Sequence, residues 1–159
     1  MTTPDTTMPA TVIRAGQLSD LDALCQLEAD SFSYDQIGRR SFRRLLHSNS
    51  AQVYVGVSAQ GIVAYAIVLT RCNSRYWRLY SMATSSKVRG QGVGKALLQH
   101  IMACARAPAS GLRLEVKCDN QPALKLYRQL GFEVVDLLPG YYSDGSDGYR
   151  MQLSWAAAQ

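Results

Sequence analysis

Arg89-Gly90-Gln91-Gly92-Val93-Gly94-Lys95 decides how this chain is read, because it joins a predicted strand (Leu79 to Thr84) to a helical pattern starting near Val93. Glycines at such a junction let several backbone N–H groups point outward together at the positive end of a helix dipole. That arrangement suits a pyrophosphate. The dinucleotide fingerprint needs G-x-G-x-x-G with an acidic residue about twenty positions later, and the P-loop needs its own spacing. Here Gly90, Gly92 and Gly94 alternate strictly and Lys95 follows, so both patterns fail and a different phosphate-bearing ligand is required. On the glycines alone, a turn that merely caps a helix is the competing explanation.

Working outward from the loop, Val93, Leu97, Ile101 and Ala105 form one helical stripe, and Gly111 opens a strand with Leu112, Leu114 and Val116 inward. Asn120 is a good N-cap for a helix with Pro122 in its first turn, and Ala123, Leu126, Tyr127 and Leu130 face the sheet. Glu133 to Leu138 and Tyr149 to Ser154 end the pattern as two strands joined by a loop from Pro139 to Gly148. Toward the N-terminus, Arg75 to Thr84 reads as a strand, preceded by a hairpin in which Val53, Val55 and Val57 alternate, Ala59-Gln60-Gly61 turns and Ile62 to Thr70 returns. Phe42, Leu45 and Leu46 mark a short helix. Ser19 is the expected cap of another from Asp20 to about Asp30, with Leu21, Leu24 and Cys25 on one face. Val12 to Ala15 supplies the first strand. Residues 1–10, rich in Thr and Pro, predict a mobile tail, and residues 11–155 a single domain.

Two motifs then agree. The spacing Arg89-x-x-Gly92-x-Gly94 resembles the (Arg/Gln)-x-x-Gly-x-(Gly/Ala) loop of the GCN5-related N-acetyltransferases, and Leu114-Glu115-Val116-Lys117-Cys118-Asp119-Asn120, with Leu126-Tyr127 and Gly131-Phe132 downstream, resembles the second hallmark of that superfamily. The element order β-α-α-β-β-β-α-β-α-β-β matches as well. The resemblance implies an α/β (α+β) fold, a mixed, mostly antiparallel sheet of about seven strands flanked by about four helices, with strands 4 and 5 splayed to admit acetyl-CoA. It implies that Arg89, Gly90, Gln91, Gly92, Val93, Gly94 and Lys95 hold the pyrophosphate, and that Met82, Ala83 and Val88 offer main-chain groups to the pantetheine arm and phosphates. Asn120 would contact the same co-substrate, although capping a helix explains it equally.

Composition agrees with an ordinary globular protein: 159 residues, 47% hydrophobic, 18% charged, net charge +5. No apolar run is long enough to cross a bilayer and nothing resembles a secretory signal, so a cytoplasmic protein without a membrane partner is expected. Cys25, Cys72, Cys104 and Cys118 are scattered, which suggests reduced, mostly buried thiols, and with His47 and His100 lacking neighbours at ligand spacing no metal is expected. The positive balance suits coenzyme A. Weak ribosome affinity would explain it too, and the cluster Arg39-Arg40, Arg43-Arg44 belongs to either reading or to a solvated helix face; no specific nucleic acid is called for.

Acetyl transfer from a thioester needs a neutral amine, a polarised carbonyl and a proton for the departing thiolate. Glu115 lies on the fifth predicted strand, twelve positions before Tyr127 on the next helix. Residue types and spacing resemble those of bacterial ribosomal-protein N-terminal alanine acetyltransferases, which implies Glu115 as base, directly or through water, and Tyr127 as acid and co-substrate contact. Alternatively Arg113, Glu115 and Lys117 are the wet face of a strand, and Tyr127 packs in the core. A backbone N–H at Ala83 or Thr84 is the expected oxyanion donor. Neutralising an α-amine at pH 7 costs about 1 kcal/mol, against about 4.6 for a lysine, so a modest base suffices for a peptide N-terminus. Tyr141-Tyr142-Ser143-Asp144-Gly145 resembles the Tyr-Tyr hairpin that closes over the peptide in the same subfamily, making Tyr141 and Tyr142 acceptor contacts unless they are simply exposed turn residues. Phe32 and Tyr34 stand where that subfamily commonly has a Trp, so the acceptor side departs from it. The expected acceptor is a protein or peptide N-terminus, a ribosomal protein among the candidates. A small amine or lysine, and a non-catalytic acyl-CoA sensor, are the other readings.

Overall fold

The computed structural model describes residues 11–32 and 36–155; the predicted N-terminal tail and Tyr34 lie outside them. Seven strands, β1 (Val12–Ala15), β2 (Ala51–Ser58), β3 (Gly61–Leu69), β4 (Tyr76–Thr84), β5 (Gly111–Lys117), β6 (Glu133–Leu138) and β7 (Gly148–Ser154), form one sheet in the order β1-β2-β3-β4-β5-β7-β6. All pairings are antiparallel except β4 with β5. Four α-helices accompany it: α1 (Leu21–Ser31), α2 (Arg39–His47), α3 (Val93–Ala105) and α4 (Gln121–Gln129).

Alternation along the strands sends side chains to two cores. Ala64, Ala66, Val68, Leu112, Leu114 and Met151 meet Leu97, Leu98 and Ile101 of α3 and Leu124 and Tyr127 of α4. Val53, Val55, Tyr65 and Ile67 meet Leu21, Leu24 and Leu27 of α1 and Phe42 of α2. Each fully buried aliphatic side chain contributes roughly 1.5–3 kcal/mol, and the Phe42 and Tyr65 rings add an edge-on contact at 5.5 Å. The expected stripe of α3 is buried as read, and Leu98 joins it.

Two expectations change. Ser19 does not cap α1; it sits inside a 3-10 turn, Leu18–Asp20, where the Asp20 carboxylate accepts the Gln17 N–H at 2.7 Å and pairs with Arg14 at 2.8 Å. The carboxylate wins because it satisfies a backbone donor and a guanidinium together. The cysteines are free but not mostly buried: Cys72 is exposed and the other three are half-buried.

Strand β4 positions the site. Its register against β3 shifts between Ile67 and Val68, which face Ser81 and Leu79, so Tyr80 is an extra residue that bends the strand. Parallel pairing with β5 runs from Tyr76↔Gly111 to Leu79↔Leu114 and stops at that bend. Beyond it β4 and β5 diverge and leave a gap in the middle of the sheet.

Candidate functional site

A cavity of about 420 Å³ occupies the gap, lined on one side by Tyr80, Ser81 and Met82 of β4 and on the other by Glu115, Val116 and Lys117 of β5. Tyr127 reaches it from α4, Asn120 from the α4 cap, Phe32 from the end of α1 and Tyr142 from the β6–β7 connection. Glu115 and Tyr127, twelve positions apart in sequence, therefore share one chamber. An adjoining cavity of about 230 Å³ shares Phe32, Tyr80, Ser81, Glu115 and Tyr142 with the first, and adds Glu28, Arg78 and Tyr141.

Tyr127 is buried among core side chains, with its ring 5.8 Å from that of Phe132. It does both things that the sequence offered as alternatives: it packs in the core and lines the cavity. Burial, reinforced by Tyr142, pushes its phenol up to about 12, so the proton stays on the oxygen at neutral pH. Burial similarly pushes Tyr142 up to about 12, with smaller contributions from Tyr141 and Glu115.

Glu115 is held by cations from neighbouring strands and is not on a wet strand face. Its side chain is 9% exposed, Arg78 of β4 donates Nε–H to Oε2 at 3.0 Å, and Arg150 of β7 lies 3.6 Å from Oε1. The flanking cations of its own strand turn elsewhere: Arg113 donates to Gln152 at 2.8 Å and stacks over Tyr76, and Lys117 pairs with Asp144 at 2.9 Å. Side chains two apart on a strand are farther from each other than cross-strand neighbours, so the partners come from β4 and β7. Arg78 also donates to the Tyr141 hydroxyl at 3.3 Å, which ties the base candidate to the Tyr-Tyr hairpin. That hairpin is anchored to β5 by the Cys118 N–H donating to Asp147 O at 3.0 Å, and Asp147 accepts the Gly140 N–H at 2.8 Å.

The glycine loop lies outside both cavities. Gly90 and Gly92 take φ of +82° and +78°, which only glycine adopts readily, and a Cβ at either would meet nothing within 4 Å. The first helical bond of α3 is Ala96 N–H to Gly92 O at 3.0 Å, so the N–H groups of Val93, Gly94 and Lys95 precede it and lack helical acceptors. With Arg89 and Lys95 exposed beside them, the donor set and the open space fit an anionic diphosphate. Gly94 differs: a Cβ there would rest at 3.5 Å from Thr84 Oγ1, an ordinary contact. Val88 and Gln91 spend their N–H groups locally, on Ser85 O and Val88 O. The Ser85 N–H donates to Val63 O at 2.7 Å, and antiparallel alternation from that bond directs the main-chain groups of Ala83 at Tyr65 and turns those of Met82 and Thr84 toward the gap. Asn120 caps α4 by accepting the Ala123 N–H at 3.3 Å while lining the cavity.

Residues 49–134 match the family model described as an acetyltransferase (GNAT) domain, more than half of the chain. This chain belongs to the GNAT acetyltransferases. Among similar GNAT proteins, the N-alpha-acetyltransferase RimI of Mycobacterium tuberculosis is 34% identical over 92% of this chain and 93% of its own length. A protein of Mycobacterium leprae is 36% identical over 139 residues, 84% of this chain, but the chain spans only 38% of that relative. The crystal structure of the ribosomal-protein-S18-alanine N-acetyltransferase from Escherichia coli superposes with a TM-score of 0.84 at 25% identity, covering 94% of this chain and 96% of that one.

Within this GNAT fold the structure adds residues that the sequence did not single out. Arg78 and Arg150 reach Glu115 only because β4 and β7 flank β5, and Glu28 of α1 enters the smaller cavity from the other side of the sheet. No local spacing links positions 37 apart, such as Arg78 with Glu115 or Glu28 with Tyr65. Alternating charge on β5, at Arg113, Glu115 and Lys117, beside the single charge Arg78 on β4, was the available hint.

Proposed function

We propose that this chain is an acetyl-CoA-dependent N-acetyltransferase acting on the α-amine at a protein or peptide N-terminus, in the cytoplasm. The observation that carries the reading is the shared chamber of Glu115 and Tyr127, at the open end of the β4–β5 gap. The names of the M. tuberculosis relative, an N-alpha-acetyltransferase, and of the E. coli structure, a ribosomal-protein-S18-alanine N-acetyltransferase, support the choice of acceptor.

Acetyl-CoA, when bound, supplies the acetyl group as an activated thioester. The N–H groups of Val93, Gly94 and Lys95, with Arg89 and Lys95 beside them, would hold its diphosphate, and Met82 and Thr84 would offer main-chain groups to the pantetheine arm. Tyr127 keeps its proton in the folded protein and delivers it to the departing sulfur. Glu115, oriented by Arg78 and Arg150, takes the amine's proton through a water. The α-amine needs only about 1 kcal/mol of neutralisation at pH 7, so that relay suffices where a lysine at about 4.6 would demand more. Phe32, Tyr141 and Tyr142 form the acceptor wall.

The test is release of CoA thiol with a panel of peptides, the N-terminus of ribosomal protein S18 among them, and mass spectrometry of the products. Acetylation at the α-amine is expected. Acetylation confined to lysine side chains or small amines would replace the acceptor, and tight acetyl-CoA binding with no amine-dependent thiol release would make the chain a sensor.

A further inference from the structure

Glu28 is 2% exposed, yet it lines the smaller cavity. Its Oε2 accepts the Ile37 N–H at 2.6 Å and its Oε1 accepts the Tyr65 hydroxyl, which lies 3.1 Å from Ser81 Oγ. All these donors are neutral. Among the described residues no Lys, Arg or His comes within ion-pair distance of Glu28, whereas buried Asp20 has Arg14 and Glu115 has Arg78 and Arg150. A buried carboxylate without a counter-charge costs several kcal/mol, and the two donors found among the described residues are both neutral.

The cavity around it favours positive charge. Three charged groups line it, the acids Glu28 and Glu115 and the base Arg78; Glu115 is already paired with Arg78 at 3.0 Å and with Arg150 at 3.6 Å, which leaves Glu28 as the acid with no cation beside it among the described residues. Tyr80, Tyr141, Tyr142 and Phe32 supply aromatic rings, whose faces attract cations. Five residues, Phe32, Tyr80, Ser81, Glu115 and Tyr142, line this cavity and the one holding Tyr127. An amine in the larger chamber therefore places only neighbouring side chains in the smaller one, since each residue of an extended peptide spans roughly 3.3–3.6 Å.

Resting on the N-acetyltransferase reading above, we infer that the smaller cavity selects acceptors carrying a lysine or arginine side chain within their first two residues, with Glu28 as the counter-charge. The occupant completes an ion pair that the described residues leave open.

The experiment uses two peptide series, varied at residue 1 or residue 2 among Lys, norleucine and Glu, assayed with wild type and Glu28→Gln. Binding of the same peptides to the CoA-loaded protein is measured by calorimetry in parallel. Wild type should favour Lys over norleucine by about 10–100-fold in kcat/KM and in affinity at one of the two positions, as expected for a charge-assisted hydrogen bond. Glu28→Gln should bring that ratio to about one. Equal losses for Lys and norleucine in Glu28→Gln would show a purely structural carboxylate, and a wild type indifferent to Lys would overturn the inference even if the variant failed to fold. Turnover without a Lys preference defeats this inference and leaves the enzyme reading. Glu28-dependent binding of the Lys peptide without turnover does the reverse.

Discussion

The glycine loop proposed for the diphosphate and the wall proposed for the acceptor are built in opposite ways. The loop is a run of consecutive residues whose shape is set locally, by positive φ at Gly90 and Gly92 and by the unpaired N–H groups at the start of α3. The wall is collected from α1, β4, β5 and the β6–β7 connection, and is held by side-chain bonds such as Tyr65 to Glu28 and Arg78 to Tyr141 that span 37 and 63 positions. A site made locally can be damaged without touching the rest of the molecule. A site made by assembly transmits damage among its members.

That contrast predicts separable defects. Gly92→Glu should have the largest effect, weakening acetyl-CoA roughly a hundredfold or more by calorimetry, because a carboxylate beside a diphosphate costs several kcal/mol. Since a Cβ at Gly92 meets nothing within 4 Å, the change should leave the fold intact apart from strain at φ +78°; unaltered affinity would move the diphosphate elsewhere. Tyr127→Phe should lower kcat by about a hundredfold while acetyl-CoA affinity holds. With the phenol at about 12, wild type should show no loss of activity from Tyr127 ionisation below about pH 11, and a limb near pH 8 that vanishes in Tyr127→Phe would contradict the burial argument.

Arg78→Gln is the sharper probe of assembly. It frees one side of Glu115 and the Tyr141 hydroxyl together, so the acceptor KM should rise by about tenfold while acetyl-CoA affinity changes less than about threefold. Equal effects on both substrates would mean that loop and wall are coupled after all. Asn120→Ala should be the mildest, costing about 1 kcal/mol of stability by loss of the α4 cap, read as a shift of about 3 °C in melting temperature. Asn120→Asp keeps the cap, so a raised acetyl-CoA KM in that variant would reveal a direct contact.

The parts legible in sequence share a short range. The α3 stripe, the inward residues of β5 and the Asn120 cap all follow from periodicity or from a hydrogen bond three residues long. Where a local rule competed with a tertiary one it failed. Ser19 lost the α1 start to Asp20, which also had Arg14 to bind, and the wet strand face that alternation offered for Glu115 gave way to burial against arginines of neighbouring strands. Tyr80 gave no sign of being the extra residue in β4, because a bulge belongs to a pair of strands and not to one.

The amino-acid order by itself determined the strands and helices, their succession, and a glycine turn able to present amides to an anion, since each depends on backbone preferences over a few residues. Only tertiary structure decided that β4 bends away from β5, that two arginines grip Glu115, and that Glu28 is buried with no cation beside it among the described residues. Those outcomes depend on which strands become neighbours, and burial and charge pairing act through space, where separation along the chain carries no weight.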